Sequence, residues 1–84
     1  MKKVQKGINQ HGQEVTVYNK AKLHIEGSFC TVGDTVYPTV KFNMIGAPEL
    51  GTPLTVKLIW KESGVTVLEF EETTFSAASS YFKL

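Results

Sequence analysis

The sequence predicts a small all-β domain in which five or six short antiparallel strands form a two-sheet sandwich. Three observations predict it. The composition, with nine Val, nine Thr, four Ile and nine aromatic residues against four Ala, favours residues that suit a pleated, half-buried surface over good helix formers. Apolar and polar residues alternate with a period of two over several stretches, as strands with one wet face require. Clusters of Gly, Pro, Asn and Asp separate those stretches. A chain of 84 residues forms a single domain and hides only about 60% of the surface its unfolded form exposes, so a small core would lean on a partner or on self-association.

The elements follow in order. Residues 1–10 carry Lys2, Lys3 and Lys6 among polar neighbours and are expected to be a mobile N-terminal arm. Val15 and Val17 flank Thr16 as a short alternating strand. From Ala21 to Glu26 the alternation is longer: Ala21, Leu23 and Ile25 face inward, Lys22, His24 and Glu26 outward. A third strand places Val36, Pro38, Val40, Phe42 and Met44 on one face, with Tyr37 on the other. Pro38 has no N–H for a ladder, so it belongs at the start of that strand or on a sheet edge. Gly27 to Asp34, and Gly46 through Pro53, read as short connections. Ala77 to Ser80 could form one helical turn before a final short strand over 81–84.

The clearest expectation is a hairpin over residues 54–72. Taking Glu62, Ser63 and Gly64 as a three-residue loop, with Gly64 in the left-handed position, pairs Trp60 with Thr66, Leu58 with Leu68 and Val56 with Phe70. That register makes one face dry, Trp60 and Phe70 together. It places Ile59, Lys57, Val65, Val67 and Glu69 on the wet face, with Lys57 and Glu69 as a cross-strand ion pair.

The segments Thr39–Met44, Leu54–Trp60, Ser63–Glu71 and Ser80–Leu84 together resemble bacterial or viral immunoglobulin-like domains. Such domains place a Trp late in a central strand and a Tyr near the start of a late one, positions matched by Trp60 and Tyr81. The resemblance covers residues 39–84 and implies an immunoglobulin-like sandwich with a bias toward binding. It carries over no catalytic residue.

Charge narrows the function. Nine Lys and no Arg against seven Glu and one Asp leave a net charge of +1, too weak a field to gather nucleic acid or an anionic membrane. Without Arg the chain also lacks the planar fork that grips phosphate or guanine. No apolar run reaches the roughly 20 residues that span a bilayer, and polar residues stand where a signal peptide would need an apolar core. The lone Cys30 allows no internal disulfide, so the expected location is cytoplasmic, or within a virion.

The chemistry-bearing residues point to no reaction. His11, His24 and Cys30 lack metal-site spacing, and Cys30 beside Phe29 reads as a small buried hydrophobe. Glu69 and Glu71 share a strand face, a geometry open to calcium or paired acid chemistry, but they read as a solvated face partnered by Lys57. No glycine spacing suits a phosphate. The expectation is therefore a non-enzymatic interaction or structural module without metal or cofactor, such as a viral structural or accessory (inhibitor) protein. It would bind a protein partner or itself through a strand edge or through Tyr37, Lys57, Ile59, Val65, Val67 and Glu69. The alternative is a small-molecule sequestering protein whose pocket forms at an oligomer interface.

Overall fold

The computed structural model describes residues 5–84. Among them there is no α-helix: nine strands and one 3-10 turn account for the regular structure. The strands are β1 (Gln5–Ile8), β2 (Glu14–Val17), β3 (Lys20–Lys22), β4 (Phe29–Thr31), β5 (Thr35–Pro38), β6 (Leu54–Glu62), β7 (Val65–Phe70), β8 (Ala77–Ala78) and β9 (Phe82–Lys83). The 3-10 turn covers Ser79–Tyr81, at the C-terminal side of the expected helical turn. Every strand pair is antiparallel. The expected count of about six strands is corrected to nine because the small sheet divides its edges among very short strands.

The nine-residue β6 is the spine. One of its edges is shared. Its distal half pairs with β2, through Thr16 opposite Lys61 and Val17 opposite Trp60, and β2 in turn pairs with β1. Its proximal half pairs with β5, through Thr35 opposite Thr55 and Val36 opposite Leu54, and β5 pairs with β9. The other edge carries β7 and then β8. Strands β3 and β4 form a separate ribbon. Ala21, Leu23 and Cys30 of this ribbon join Val56, Ile59 and Leu68 of the large sheet in one buried cluster, so the ribbon closes one face of the sheet. The backbone N–H of His24 donates to the Phe82 carbonyl (2.9 Å) and ties the ribbon to β9. Phe82, fully buried, packs against Phe70 with ring centroids 5.0 Å apart and planes tilted by 56°.

The β6–β7 hairpin forms, in a different register. Its loop has two residues, Ser63 and Gly64, both left-handed (φ 51° and 81°). This is the turn whose twist matches the flanking strands, and a short polar Ser tolerates it better than a branched residue would. Glu62 therefore faces Val65, Trp60 faces Val67 and Ile59 faces Leu68; an irregularity between Val56 and Leu58 then returns Val56 to Phe70. The extra residue, Lys57, lets Val56 and Ile59 both point into the core although they are three apart. Because side chains alternate faces, Trp60, Val67 and Glu69 occupy the face opposite Ile59, Leu68 and Phe70. The expected pairs Trp60–Thr66 and Leu58–Leu68, and the placement of Trp60 beside Phe70, are corrected accordingly.

Two further corrections have local causes. The third strand stops at Pro38 instead of running to Met44, since a residue without an N–H cannot extend the ladder. The Thr39 N–H and hydroxyl donate to the Tyr81 carbonyl instead (2.8 and 2.9 Å), and residues 39–53 run without a strand. Of the expected N-terminal arm, residues 5–8 are β1 and Asn9 is buried; residues 1–4, with Lys2 and Lys3, lie outside the described residues. Strand β1 packs closely because Gly7 has no Cβ: one placed there would lie 2.6 Å from Val17 Cγ2.

Candidate functional site

The structure scatters the six residues expected to form a docking face. Ile59 is fully buried in the core and Glu69 is only 1% exposed. Val67 is half-buried beside Trp60, Tyr37 is half-buried opposite Lys83, and Lys57 and Val65 are exposed. Leu58, not Lys57, faces Glu69. The one-residue change of register turns Ile59 inward and brings Trp60 onto the face of Glu69, where the β1–β2 turn meets both; Tyr37 lies on β5, outside the hairpin.

Glu69 has become part of the architecture. Its Oε2 accepts hydrogen bonds from Trp60 Nε1–H and from the backbone N–H of Gln10, both at 3.0 Å. A buried carboxylate is tolerable only with such donors. Gln10 lies in the β1–β2 turn, which is held by Asn9: its side-chain Oδ1 accepts the N–H groups of His11 (3.0 Å) and Gln13 (2.9 Å). The Gln10 side chain also donates to the Thr74 carbonyl (2.5 Å). The far face of the sheet is thus closed over Trp60 by loops from both ends of the chain.

The fold shifts two titratable groups, Cys30 and Glu72. Burial, reinforced by the nearby Asp34 carboxylate, pushes the Cys30 thiol up to about 11, which leaves it protonated and unreactive at neutral pH. Glu72, at the surface, accepts the Thr55 hydroxyl (2.6 Å) and N–H (2.7 Å), and these bonds hold its carboxyl below the usual glutamate value. Among the described residues no three His, Cys, Asp or Glu side chains gather as a metal site. No helix there is long and apolar enough to cross a membrane. A surface groove of about 230 Å³ beside β1, β2 and β6 is lined largely by polar and charged groups, among them Lys6, Glu14, Lys61 and Glu62.

The surface feature that sequence reading missed lies in residues 39–53. Two β-turns follow one another there. In Met44–Ala47 the Ala47 N–H donates to the Met44 carbonyl (3.2 Å), and in Glu49–Thr52 the Thr52 N–H donates to the Glu49 carbonyl (3.1 Å). Gly46 and Gly51 hold positive φ at the third position of each, the signature of a type II turn. The second position then projects outward, and it is occupied by Ile45, 107% exposed, and Leu50, 58% exposed. Met44 and Val40 of the same segment are exposed as well. Phe42 anchors the segment, its ring 4.8 Å from Phe75 and 5.6 Å edge-on to Tyr81. The signal is present in the sequence: Met44-Ile45 stands between Asn43 and Gly46, and Leu50 between Pro48-Glu49 and Gly51, where polar side chains are usual.

The chain was compared with protein-family models, with curated proteins and with solved structures, and none of the three comparisons gave a match.

Proposed function

We propose that this chain is a non-enzymatic protein–protein interaction or structural module, as in a viral structural or accessory (inhibitor) protein. One observation carries the reading: two successive hydrogen-bonded turns hold Ile45 and Leu50 out in water, next to Met44. Single exposed apolar side chains are ordinary, but three within one short segment held by hydrogen-bonded turns suit a contact surface. The buried Cys30 and the hydrogen-bonded Glu69 are committed to structure, which supports the non-enzymatic part of the proposal.

The immunoglobulin-like relationship belongs to this proposal as its structural side. Burial of Ala21, Leu23 and Cys30 against the β6–β7 face supports a two-layered arrangement of that type. The position of Trp60, on the face away from Phe70, departs from the family pattern of a Trp packed between the layers.

The test is affinity capture with mass-spectrometric identification, run beside sedimentation of the purified chain. Wild type should self-associate or retain a defined protein, and Ile45→Ser with Leu50→Ser should lose it while keeping its circular dichroism spectrum. A strict monomer that retains nothing would refute the reading.

A further inference from the structure

We infer that the outer edge of β1 is a docking site for an extended acidic segment of a partner protein, which joins the large sheet as an added antiparallel strand. This rests on the interaction-module reading and adds to it a second contact surface, apart from residues 39–53, with the chemistry of its occupant.

Backbone groups face that edge in a fixed pattern. The Asn9 N–H donates to the Gln13 carbonyl (3.0 Å), and this pair continues the register of Gly7 opposite Val15 and Gln5 opposite Val17. In an antiparallel ladder, residues that exchange hydrogen bonds with a neighbouring strand alternate with residues that turn away from it. Gln5, Gly7 and Asn9 therefore bond toward β2, and Lys6 and Ile8 direct their N–H and C=O groups to the opposite edge. Among the described residues β2 is the only strand that pairs with β1. Two donors and two acceptors from alternate residues match the backbone of one more strand, the basis of recognition by strand addition.

The other margins of the large sheet suit this less well. Strands β8 and β9 have two residues each, and the Phe82 carbonyl of β9 already accepts the His24 N–H; edges so short resist pairing. Strand β1 keeps register with β2 over four successive residues. Its hairpin is held at the turn by the Asn9 side chain and by the Gln10 N–H on Glu69, so little freedom is left to lose on binding.

Charge selects the partner. Residues 1–13 contain Lys2, Lys3 and Lys6 and no Asp or Glu. Lys6 is exposed, and the residue of an added strand directly opposite it would have its Cβ about 5 Å away. Glu14 is the acid of the β1–β2 pair and stands opposite Ile8. From that partner residue it is two strand spacings across and two residues along, roughly 12 Å, beyond the screening length at about 0.1 M salt. A carboxylate opposite Lys6 is thus attracted. Ile8 is 63% exposed, and Val17 Cγ2 fills the space that a Gly7 side chain would take, so apolar partner residues suit the positions opposite Ile8 and Gly7. A second copy of the chain fits poorly, because no residue of β1 offers Lys6 a carboxylate.

The probe is the peptide acetyl-Thr-Thr-Val-Val-Glu-Thr-Thr-amide, titrated into the isotope-labelled full chain and followed by NMR. Half-saturation should fall below about 1 mM, the weak end of specific association. At about nine-tenths occupancy the Lys6 and Ile8 amides should exchange about tenfold more slowly, while those of Gln5 and Gly7, already bonded to β2, should change little. Methylating the amide nitrogen of the peptide's Glu, which removes the hydrogen bond to the Lys6 carbonyl, should abolish binding. Lys6→Glu should weaken binding about fivefold with an unchanged circular dichroism spectrum, the scale of one cross-strand ion pair exchanged for like charges. The same variant should prefer the peptide with Lys in place of Glu. A peptide that fails to bind, that binds without slowing exchange at Lys6 and Ile8, or that tolerates the methylation overturns the inference. So does a wild type that prefers the Lys peptide. Slower exchange at Lys6 and Ile8 when the chain alone is concentrated would make a second copy the occupant and overturns it too. Ile45→Ser with Leu50→Ser should leave peptide binding unchanged, so failure at this edge is separate from failure of the surface at 39–53.

Discussion

The β6–β7 ribbon and the segment 39–53 that leads into it are neighbours in sequence and both carry long apolar side chains, yet they treat them in opposite ways. In the ribbon, Val56, Ile59, Leu68 and Phe70 are shut away beneath the β3–β4 layer. In the segment, Met44, Ile45 and Leu50 stand in water. The difference lies in the backbone. A strand whose N–H and C=O groups are paired can lie flat against a second layer and bury every other side chain. Once Pro38 ends the ladder, the chain satisfies its backbone locally through turns, and a turn points its second residue away from the body of the protein. Apolarity alone therefore does not decide burial.

Substitutions can break or sharpen this comparison, starting with the largest expected effect. Phe82→Ala removes a fully buried ring packed against Phe70 and should cost about 3–5 kcal/mol in urea or thermal unfolding; a cost below about 1 kcal/mol would mean that the buried layer is not the source of stability. Glu69→Ala leaves the Gln10 N–H and the Trp60 indole N–H without their acceptor. It should destabilise by about 2 kcal/mol and shift Trp60 emission to the red, with Glu69→Gln, which keeps an acceptor, losing less. Gly7→Ala brings a Cβ to 2.6 Å from Val17 Cγ2 and should cost about 1 kcal/mol, largely recovered in combination with Val17→Ala. If the pair is merely additive, the close approach is not what Gly7 provides.

Smaller effects follow at the surface. Glu72, held low first by the Thr55 hydroxyl and then by the Thr55 N–H, should titrate by NMR below an ordinary glutamate, and Thr55→Val should move it part of the way back. A carboxyl lowered in the folded state contributes stability above its unfolded value and loses it as the pH falls from about 4.3 through the folded value. Full exposure makes that contribution small. The smallest effect on stability is expected at the most exposed residue: Ile45→Ser should change the unfolding free energy by less than about 0.5 kcal/mol. A loss near that of Phe82→Ala would show that the segment is part of the core, and would abolish the contrast on which its role as a contact surface depends.

Particular residues show how much of this was legible beforehand. Of the three residues expected to face inward over 21–26, Ala21 and Leu23 are buried but Ile25 is exposed, because β3 ends at Lys22 and the chain turns at Ile25–Ser28; Cys30 is the small buried hydrophobe its setting predicts. The hairpin was legible as a hairpin because Ser63-Gly64 interrupts two runs rich in Val, Leu and Ile. Its register was not. Both registers bury Leu68 and Phe70 on β7, and they differ only in whether Leu58 or Ile59 faces Leu68. That choice follows from a two-residue turn with Ser63 left-handed and a compensating irregularity around Lys57, and nothing in the alternation of residues 54–62 announces an extra residue.

The candidate site divides in the same way. Val65 and Lys57 were expected at the surface and are there. The expected register makes Glu69 a solvated acid on the wet face opposite Lys57. It is buried because a turn 59 residues earlier supplies the Gln10 N–H, a contact of a kind that no local window contains. Ile45 and Leu50 escape the sequence reading because the expected strand stops at Met44 and the Gly46–Pro53 stretch reads only as a connection.

By itself the amino-acid sequence determined that the chain is all-β, that residues 54–72 fold back on themselves, and that Cys30, Ala21 and Leu23 turn inward. These follow from local steric preference and from a period of two, which act over a few residues. Only the tertiary structure decided which face of β6 is dry, where Glu69 ends up, and which apolar side chains remain in water. Those outcomes depend on the layer that arrives from elsewhere in the chain: a side chain is buried when another element covers it, and a donor from far along the sequence can make a buried charge tolerable.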